Sequence, residues 1–459
     1  MIRPVAAERF LSGVLARLPT GVDADARLEG TRFTTMRFAN GRIHQPHAEE
    51  LGQLSLRIAD ARRLATVTTL DLSRAGVGRA IEQGLALARR APEEPRFEGF
   101  SSTKGRPGPV PYSAATARMS IEEQGRWAAR MIHAAASAVP DGRIAGVFHV
   151  GDTFLAVANT AGRFAQGRRS IASARVLVER LSVASTPAGW SEAAHFDHRA
   201  LDPEALGREA AERVARSPPE AVPAGRYRVL LLGPAFAKLL SELGNLGFSA
   251  RSVEEGWSCL ARRWGRRIAP PGLEVVDDGR SPLTLPQAID YEGEPKRRTP
   301  MVLDGVAQGP VLDRLTASRL GRAPTGHAWP PEAPWGEIGA SPQNVIVGAG
   351  SAASLDELIR ETGRGLLVTH FHYVRVVDPG RGVLTGMTRD GTYRIEGGEL
   401  RAPVRNLRFT ESILTALKGA ELWGRERRCY ADDDERGASA VTAPALVCRG
   451  FRFTSATVF

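Results

Sequence analysis

The hydrophobic positions of this chain switch repeatedly between a helical and a strand period, and two polar, proline-rich stretches divide the switches into three regions. Near the N-terminus, Phe10, Leu11, Val14, Leu15 and Leu18 share one helical face. Strand-like runs follow at residues 24–28, 32–38, 51–58 and 64–70. Asn40-Gly41 predicts a tight hairpin turn, because that pair accepts the backbone such turns require. Asp71 or Ser73 is placed to cap a second helix with Val77, Ile81, Leu85, Ala86 and Leu87 on its apolar face. Residues 92–111, rich in Pro, Gly, Ser and charge, then read as a linker.

The same order returns beyond that break. A helix is expected over 120–138, strands over 143–150, 153–158 and 171–184, and a helix over 202–216. Two successive helix–strands–helix units of similar build result, although their residues are too dissimilar to make a repeat. Ser217-Pro218-Pro219-Glu220 marks the second break. A strand over 226–232 and a strong helix pattern over 234–246 open the third region. Strands and turns dominate the remainder, at 274–276, 300–303, 344–347, 365–377, 392–395 and 399–405. One helix interrupts them, over 354–362, with Ser354 as cap and Glu357 three residues on. The expected class is α+β: two N-terminal α+β units over 1–92 and 112–217, then a larger, mostly antiparallel β domain with a few helices over 225–459.

Composition narrows the function. The chain has 459 residues, 42% of them hydrophobic and 24% charged, enough to build more than one core. No apolar run reaches the ~18 residues of a membrane-spanning helix, and the N-terminal segment lacks the apolar stretch of a secretory signal, so the cytoplasm is the expected location. Cys259, Cys429 and Cys448 include no CxxC pair and read as reduced, structural thiols. The formal charge of +10 raises a nucleic-acid partner. Its arginines, however, are spread along the chain among acids, so a solvated basic surface is the simpler reading. Neither a Gly-x-Ser-x-Gly elbow nor a phosphate-cradling glycine loop is present.

Several blocks, in order, resemble one family. Arg37-Phe38-Ala39-Asn40-Gly41-Arg42-Ile43-His44-Gln45 is similar to its early hairpin, and Asn159-Thr160-Ala161-Gly162-Arg163 to its central turn. Arg251-Ser252-Val253-Glu254-Glu255-Gly256, Val276-Asp277-Asp278-Gly279 and Asp290-Tyr291-Glu292-Gly293-Glu294-Pro295 follow. Gly363-Arg364-Gly365-Leu366-Leu367-Val368-Thr369 and Ile395-Glu396-Gly397-Gly398-Glu399 close the series. Together they resemble the TldD/PmbA family, whose catalytic member carries His-Glu-x-x-x-His on a helix and a further cysteine ligand near the C-terminus. Such a site suits zinc, which takes imidazole and thiolate, keeps one position open and acidifies bound water for a neighbouring glutamate to deprotonate.

This chain departs from that pattern. Aligned on Glu242, Ser241 and Leu246 stand where the two histidines would be, and no histidine occurs between His198 and His327. Near the C-terminus, Glu435-Arg436-Gly437-Ala438-Ser439-Ala440-Val441 lacks the cysteine. The resemblance therefore implies a PmbA-like (TldE-like) subunit with no metal or catalytic residue of its own, and zinc in the partner subunit. That partner would be a TldD-like metal-bearing homologue, in a heterodimer or heterotetramer, with a homodimer forming in its absence. The implied substrate is an extended peptide held for proteolysis; neither nucleic acid nor membrane is an expected partner. Arg251, Ser252, Glu254, Glu255, Asp290 and Glu292 are expected at a cavity or interface around the vestigial site. A stand-alone peptide- or protein-binding scaffold remains the alternative. His370 and His372, two apart on a strand, point the same way and could share a metal, or could simply pack. The Asp432–Glu435 run reads as a solvated acidic turn.

Overall fold

The computed structural model describes residues 6–102, 107–180, 187–330, 339–432 and 439–457. The first two regions contribute three strands each to one sheet: β1 (Asp23–Ala39), β2 (Arg42–Asp60) and β3 (Arg63–Thr69), then β4 (Arg143–Asn159), β5 (Phe164–Glu179) and β6 (Ala188–His195). The order is β3-β2-β1-β4-β5-β6, antiparallel throughout. The runs at 24–28 and 32–38, expected as two strands, form one. Gly30 pairs with Gly52 on one side and Phe154 on the other, so neighbours on both edges carry the strand through its polar middle. Asn40 and Gly41 turn from β1 into β2 with φ of 50° and 70°, as the hairpin requires.

Strand alternation gives this sheet two working faces. On one, Ala24, Ala26, Leu28, Phe154, Ala156 and Ala158 pack under helices α1 (Ala7–Leu15) and α2 (Arg74–Ala88). Farther along the same face, Met36, Phe38, Ile144, Phe148 and Val150 pack under a second helical pair. After a short turn of helix, α3 (Ala114–Ala117), that pair is α4 (Ile121–Ala138) and α5 (Pro203–Glu212). Ser120 and Glu123 close a reciprocal capping box at the start of α4, and Asp202 caps α5. The opposite face presents Phe33, Leu155, Val157 and Ile171, which are buried against Leu285, Ala288, Ile289 and Cys429 of the third region.

The third region opens with β7 (Gly225–Leu231), α6 (Gly233–Leu243) and α7 (Ala250–Glu254). It continues through β8 (Val275–Asp278), β9 (Arg298–Leu303), β10 (Val306–Ala307), α8 (Arg314–Arg319), β11 (Asn344–Val347) and α9 (Leu355–Thr362). Next come β12 (Arg364–Asp378), β13 (Val383–Glu396), β14 (Glu399–Pro403), β15 (Leu407–Ser412) and α10 (Ile413–Lys418). The last strands are β16 (Ala420–Trp423), β17 (Arg428–Ala431), β18 (Ala440–Ala443) and β19 (Leu446–Ala456). One sheet runs β10-β9-β8-β11-β18-β17. In the other, β12, β7, β19, β15 and β13 close into a ring through a β12–β13 pairing. Pairing is antiparallel except between β7 and β12 and between β11 and β18. The class is thus α+β with mostly antiparallel sheets, as the patterning implied. Val229, Leu231, Leu366, Val368, Phe409 and Phe451 of the ring share the largest core with Phe236, Leu239, Leu240 and Leu243 of α6 and Val275, Val345 and Val347 of the six-stranded sheet.

The stretch connecting the first two regions is tied to the third. Ser101 hydrogen-bonds Glu294, Glu94 pairs with Arg319, and Arg314 donates to the Gly99 carbonyl at 2.8 Å.

Candidate functional site

Three sheets converge on a cleft of about 440 Å³. Its walls come from Trp190 and Glu192 of β6, the exposed side of α6, the paired strands β12 and β13, and Tyr430 to Asp432 at the end of β17. Helix α6 begins with Pro234, whose fixed φ suits a first turn. Its apolar side enters the core, which leaves Pro234, Ala237, Lys238 and Ser241 facing the cleft.

The residues singled out on this helix separate in space. Ser241 lines the cleft, and its hydroxyl donates to Asp432 Oδ2 at 3.4 Å, an oxygen that also accepts from Ser439 at 3.1 Å. Glu242 pairs with Lys238 at 3.4 Å; burial pushes its carboxyl above the usual carboxylate range, with Lys238 opposing. Leu246 lies in the core, 5% exposed. Residues five apart stand about 140° apart around a regular α-helix, and here a π turn over Gly244–Phe248 follows α6. Even with that turn, Leu246 packs inward.

His370 and His372 both line the cleft. The His370 ring stacks on Trp190, 4.9 Å between centroids and 8° from parallel, and its Nδ1 lies 3.5 Å from Asp390 Oδ2. Among the described residues, no group of three or more His, Cys, Asp or Glu side chains is arranged to hold a metal ion. The helix offers a hydroxyl and an aliphatic side chain where imidazoles would be needed, so its donor set does not fit zinc. All three cysteines are buried, and burial pushes Cys259 up to about 11 and Cys429 and Cys448 up to about 12. These are core thiols.

The two other blocks lie away from the cleft lining. Arg251 pairs with Glu255 at 2.6 Å and Glu254 with Arg319 at 2.7 Å, while Ser252 is buried against Ser249. Glu292 clasps the first sheet to the third region, and Asp290 holds the turn that carries it. Glu292 accepts from Arg57 of β2 at 2.8 Å and from the Arg314 amide at 2.8 Å. Asp290 accepts from the amides of Glu292, Glu294 and Ala328 at 2.8–2.9 Å. Arg163, from the Asn159 turn, donates to the Gly293 carbonyl. Two family-like blocks far apart in sequence thus meet as one structural joint. Of the Asp432–Glu435 run, only Asp432 falls within the described residues, and the Glu435–Val441 stretch is described from Ser439 onward.

Sequence reading missed Trp190, Glu192, Tyr373, Arg375, Arg389, Asp390 and Tyr430. One local signal existed: Asp390-Gly391 inside an alternating run marks a bulge. Burial pushes the Asp390 carboxyl up to about 6, against the Arg389 guanidinium. A carboxyl raised on folding costs stability once ionised; the cost shrinks as pH falls below the folded value and is gone below the unfolded value near 4. Asp390→Asn is therefore expected to stabilise the protein by about 1–2 kcal/mol at pH 8, with the gain shrinking below about pH 6 and vanishing below about pH 4. Urea unfolding at both ends of that range checks the sign.

Comparison with known proteins fits this geometry. Residues 24–88 match PmbA/TldA metallopeptidase domain 1, residues 115–217 the central domain, and residues 224–455 the C-terminal domain. The chain belongs to the PmbA/TldD family. It is 28% identical over 235 residues to a metalloprotease of Methanothermobacter thermautotrophicus, covering 50% of this chain and 49% of that one. A metalloprotease PmbA homolog of Haemophilus influenzae is 24% identical over 246 residues, covering 53% and 49%. The matched stretch thus spans about half the length of these relatives. The crystal structure of TldE from Thermococcus kodakarensis has the same fold, with a TM-score of 0.86 over 98% of this chain and 100% of that one, at 18% identity. No helix among the described residues is long and apolar enough to cross a membrane.

Proposed function

We infer that this member of a metallopeptidase-like family is the metal-free subunit of a peptidase complex. It walls the cleft and holds an extended peptide, while a metal-bearing homologue supplies zinc and the hydrolytic step. One observation carries the reading: the cleft face of α6 presents Pro234, Ala237, Lys238 and Ser241, with Leu246 turned into the core. The fold and the cleft are kept, and the donors for zinc are not. Extended peptides pair readily with the edge of a sheet. Both β6 and β17 end their sheets, and both line the cleft. The proposed setting is the cytoplasm, with self-pairing of this chain when the homologue is absent.

Elemental analysis of the purified chain tests the first half of this account. The expected result is far less than one zinc per chain, with no peptide hydrolysis. About one tightly held zinc, retained in Glu242→Ala, would contradict it.

A further inference from the structure

Among the described residues six non-glycine positions have left-handed φ, and four of them, Asn40, Ala61, Arg62 and Asp304, sit in hairpin turns. The other two, Tyr373 and Asp390, lie inside strands, and both line the cleft. Their φ values are 53° and 55°. The β12–β13 register explains the positions. Val368 pairs with Thr392 and His370 with Arg389, so β13 carries an extra residue at Asp390-Gly391. His372 pairs with Met387 and Arg375 with Thr385, so β12 carries an extra residue at Tyr373-Val374. Two reciprocal bulges therefore bracket His370 and His372, each with a non-glycine residue held in a sparsely populated backbone conformation. Such irregularities re-aim side chains at the sites they border.

The second bulge re-aims an aromatic ring and a cation together. Tyr373 is 57% exposed. The Arg375 guanidinium carbon lies 4.6 Å from the centre of its ring, and Arg375 donates to the Val374 carbonyl at 2.8 Å. Other charges of the cleft are matched locally: Glu192 with Arg175 at 3.3 Å, Lys238 with Glu242, and Asp390 with Arg389 at 3.6 Å. Asp432 accepts from Ser241 and Ser439. Among the described residues Arg375 makes no ion pair, and a guanidinium has five N–H donors in a fork that fits a carboxylate.

We propose that Arg375, oriented by its stack on Tyr373, is the specificity residue that anchors a carboxylate of the bound peptide. This rests on the reading of the cleft as a peptide site and adds the chemistry that the site selects. The carboxylate can be the peptide's C-terminus or an acidic side chain.

The test is fluorescence anisotropy with the full chain and three N-terminally labelled extended peptides. One has a free C-terminus and no acidic residue, one is its C-terminal amide, and one is the amide carrying a single glutamate. The free acid, the glutamate peptide or both should bind more tightly than the plain amide. Arg375→Ala should weaken only those carboxylate-bearing peptides, by roughly 10–100-fold, the size of a lost charge-assisted hydrogen bond. Tyr373→Ala, which keeps the cation but frees it, should weaken them less. Which peptide responds identifies the source of the carboxylate. Equal binding of all three peptides to Arg375→Ala and to the natural chain overturns the anchor and leaves the peptide cleft standing. Failure of all three to bind the natural chain overturns the peptide cleft itself.

Discussion

Asp277→Ala is expected to destabilise the protein by about 3–5 kcal/mol, the usual cost of leaving a buried charge without its partner. Asp277, Lys296 and His327 are sealed from solvent, with Asp277 Oδ1 3.8 Å from Lys296 Nζ and 3.0 Å from His327 Nε2. The second oxygen, Oδ2, accepts from the amides of Gln343 and Asn344 at 2.6 and 2.7 Å, tying β8 to the start of β11. Burial alone would raise this carboxyl. The Lys296 ammonium, His327 and the Asn344 amide outweigh it and hold Asp277 well below the usual range. Burial in turn lowers Lys296, with Asp277 opposing. Truncating the aspartate strands that ammonium in the protein interior.

The sign of the pH dependence follows from the depressed carboxyl. Its contribution is fully present above the unfolded value near 4 and is lost as pH falls below it. The difference in urea midpoint between the natural chain and Asp277→Ala should therefore be large at pH 7 and shrink steadily below pH 4. Replacing the cluster with Asp277→Leu, Lys296→Met and His327→Leu should recover much of the loss, because apolar side chains of similar volume substitute well for buried ion pairs. A single Asp277→Ala variant as stable as the natural chain would mean that the ammonium finds another partner.

Much of the architecture was legible because local chemistry agreed with global packing. The Asn40-Gly41 turn and the helix over 120–138 fell where expected. So did the Ser354 cap of α9, although Glu357 reaches the Ala353 amide at 2.7 Å instead of the amide of Ser354. The joint and the cleft were less legible, since both depend on pairings distant in sequence. Arg57 meets Glu292 across 235 positions, and no local pattern announces it. The Asp290–Pro295 block looked like a turn beside the vestigial site, and in the structure its Glu292 pairs with Arg57 of the first sheet. On α6 the helical face was readable, whereas the π turn over Gly244–Phe248 that follows it has no local signature. The bulge at Tyr373 depends on β12 and β13 having unequal lengths between their paired positions, which β12 alone does not show, whereas Asp390-Gly391 left a local sign of its own.

The second large effect concerns assembly. On the proposed reading, this chain keeps the cleft without the donors for zinc beside a homologue that has them, and pairing of related surfaces allows one copy to give up chemistry without giving up the interface. The β6 and β17 edges would then serve the peptide that the partner hydrolyses. Co-expression with the His-Glu-x-x-x-His homologue from the same genome, followed by affinity purification on this chain alone, is the most direct measurement. The account predicts a stable complex that holds zinc through the homologue and hydrolyses unfolded peptides at least ~100-fold faster than either chain alone, a loss on separation of about 3 kcal/mol in transition-state stabilisation. A homologue that is fully active without this chain, or that never co-purifies with it, would contradict the central claim.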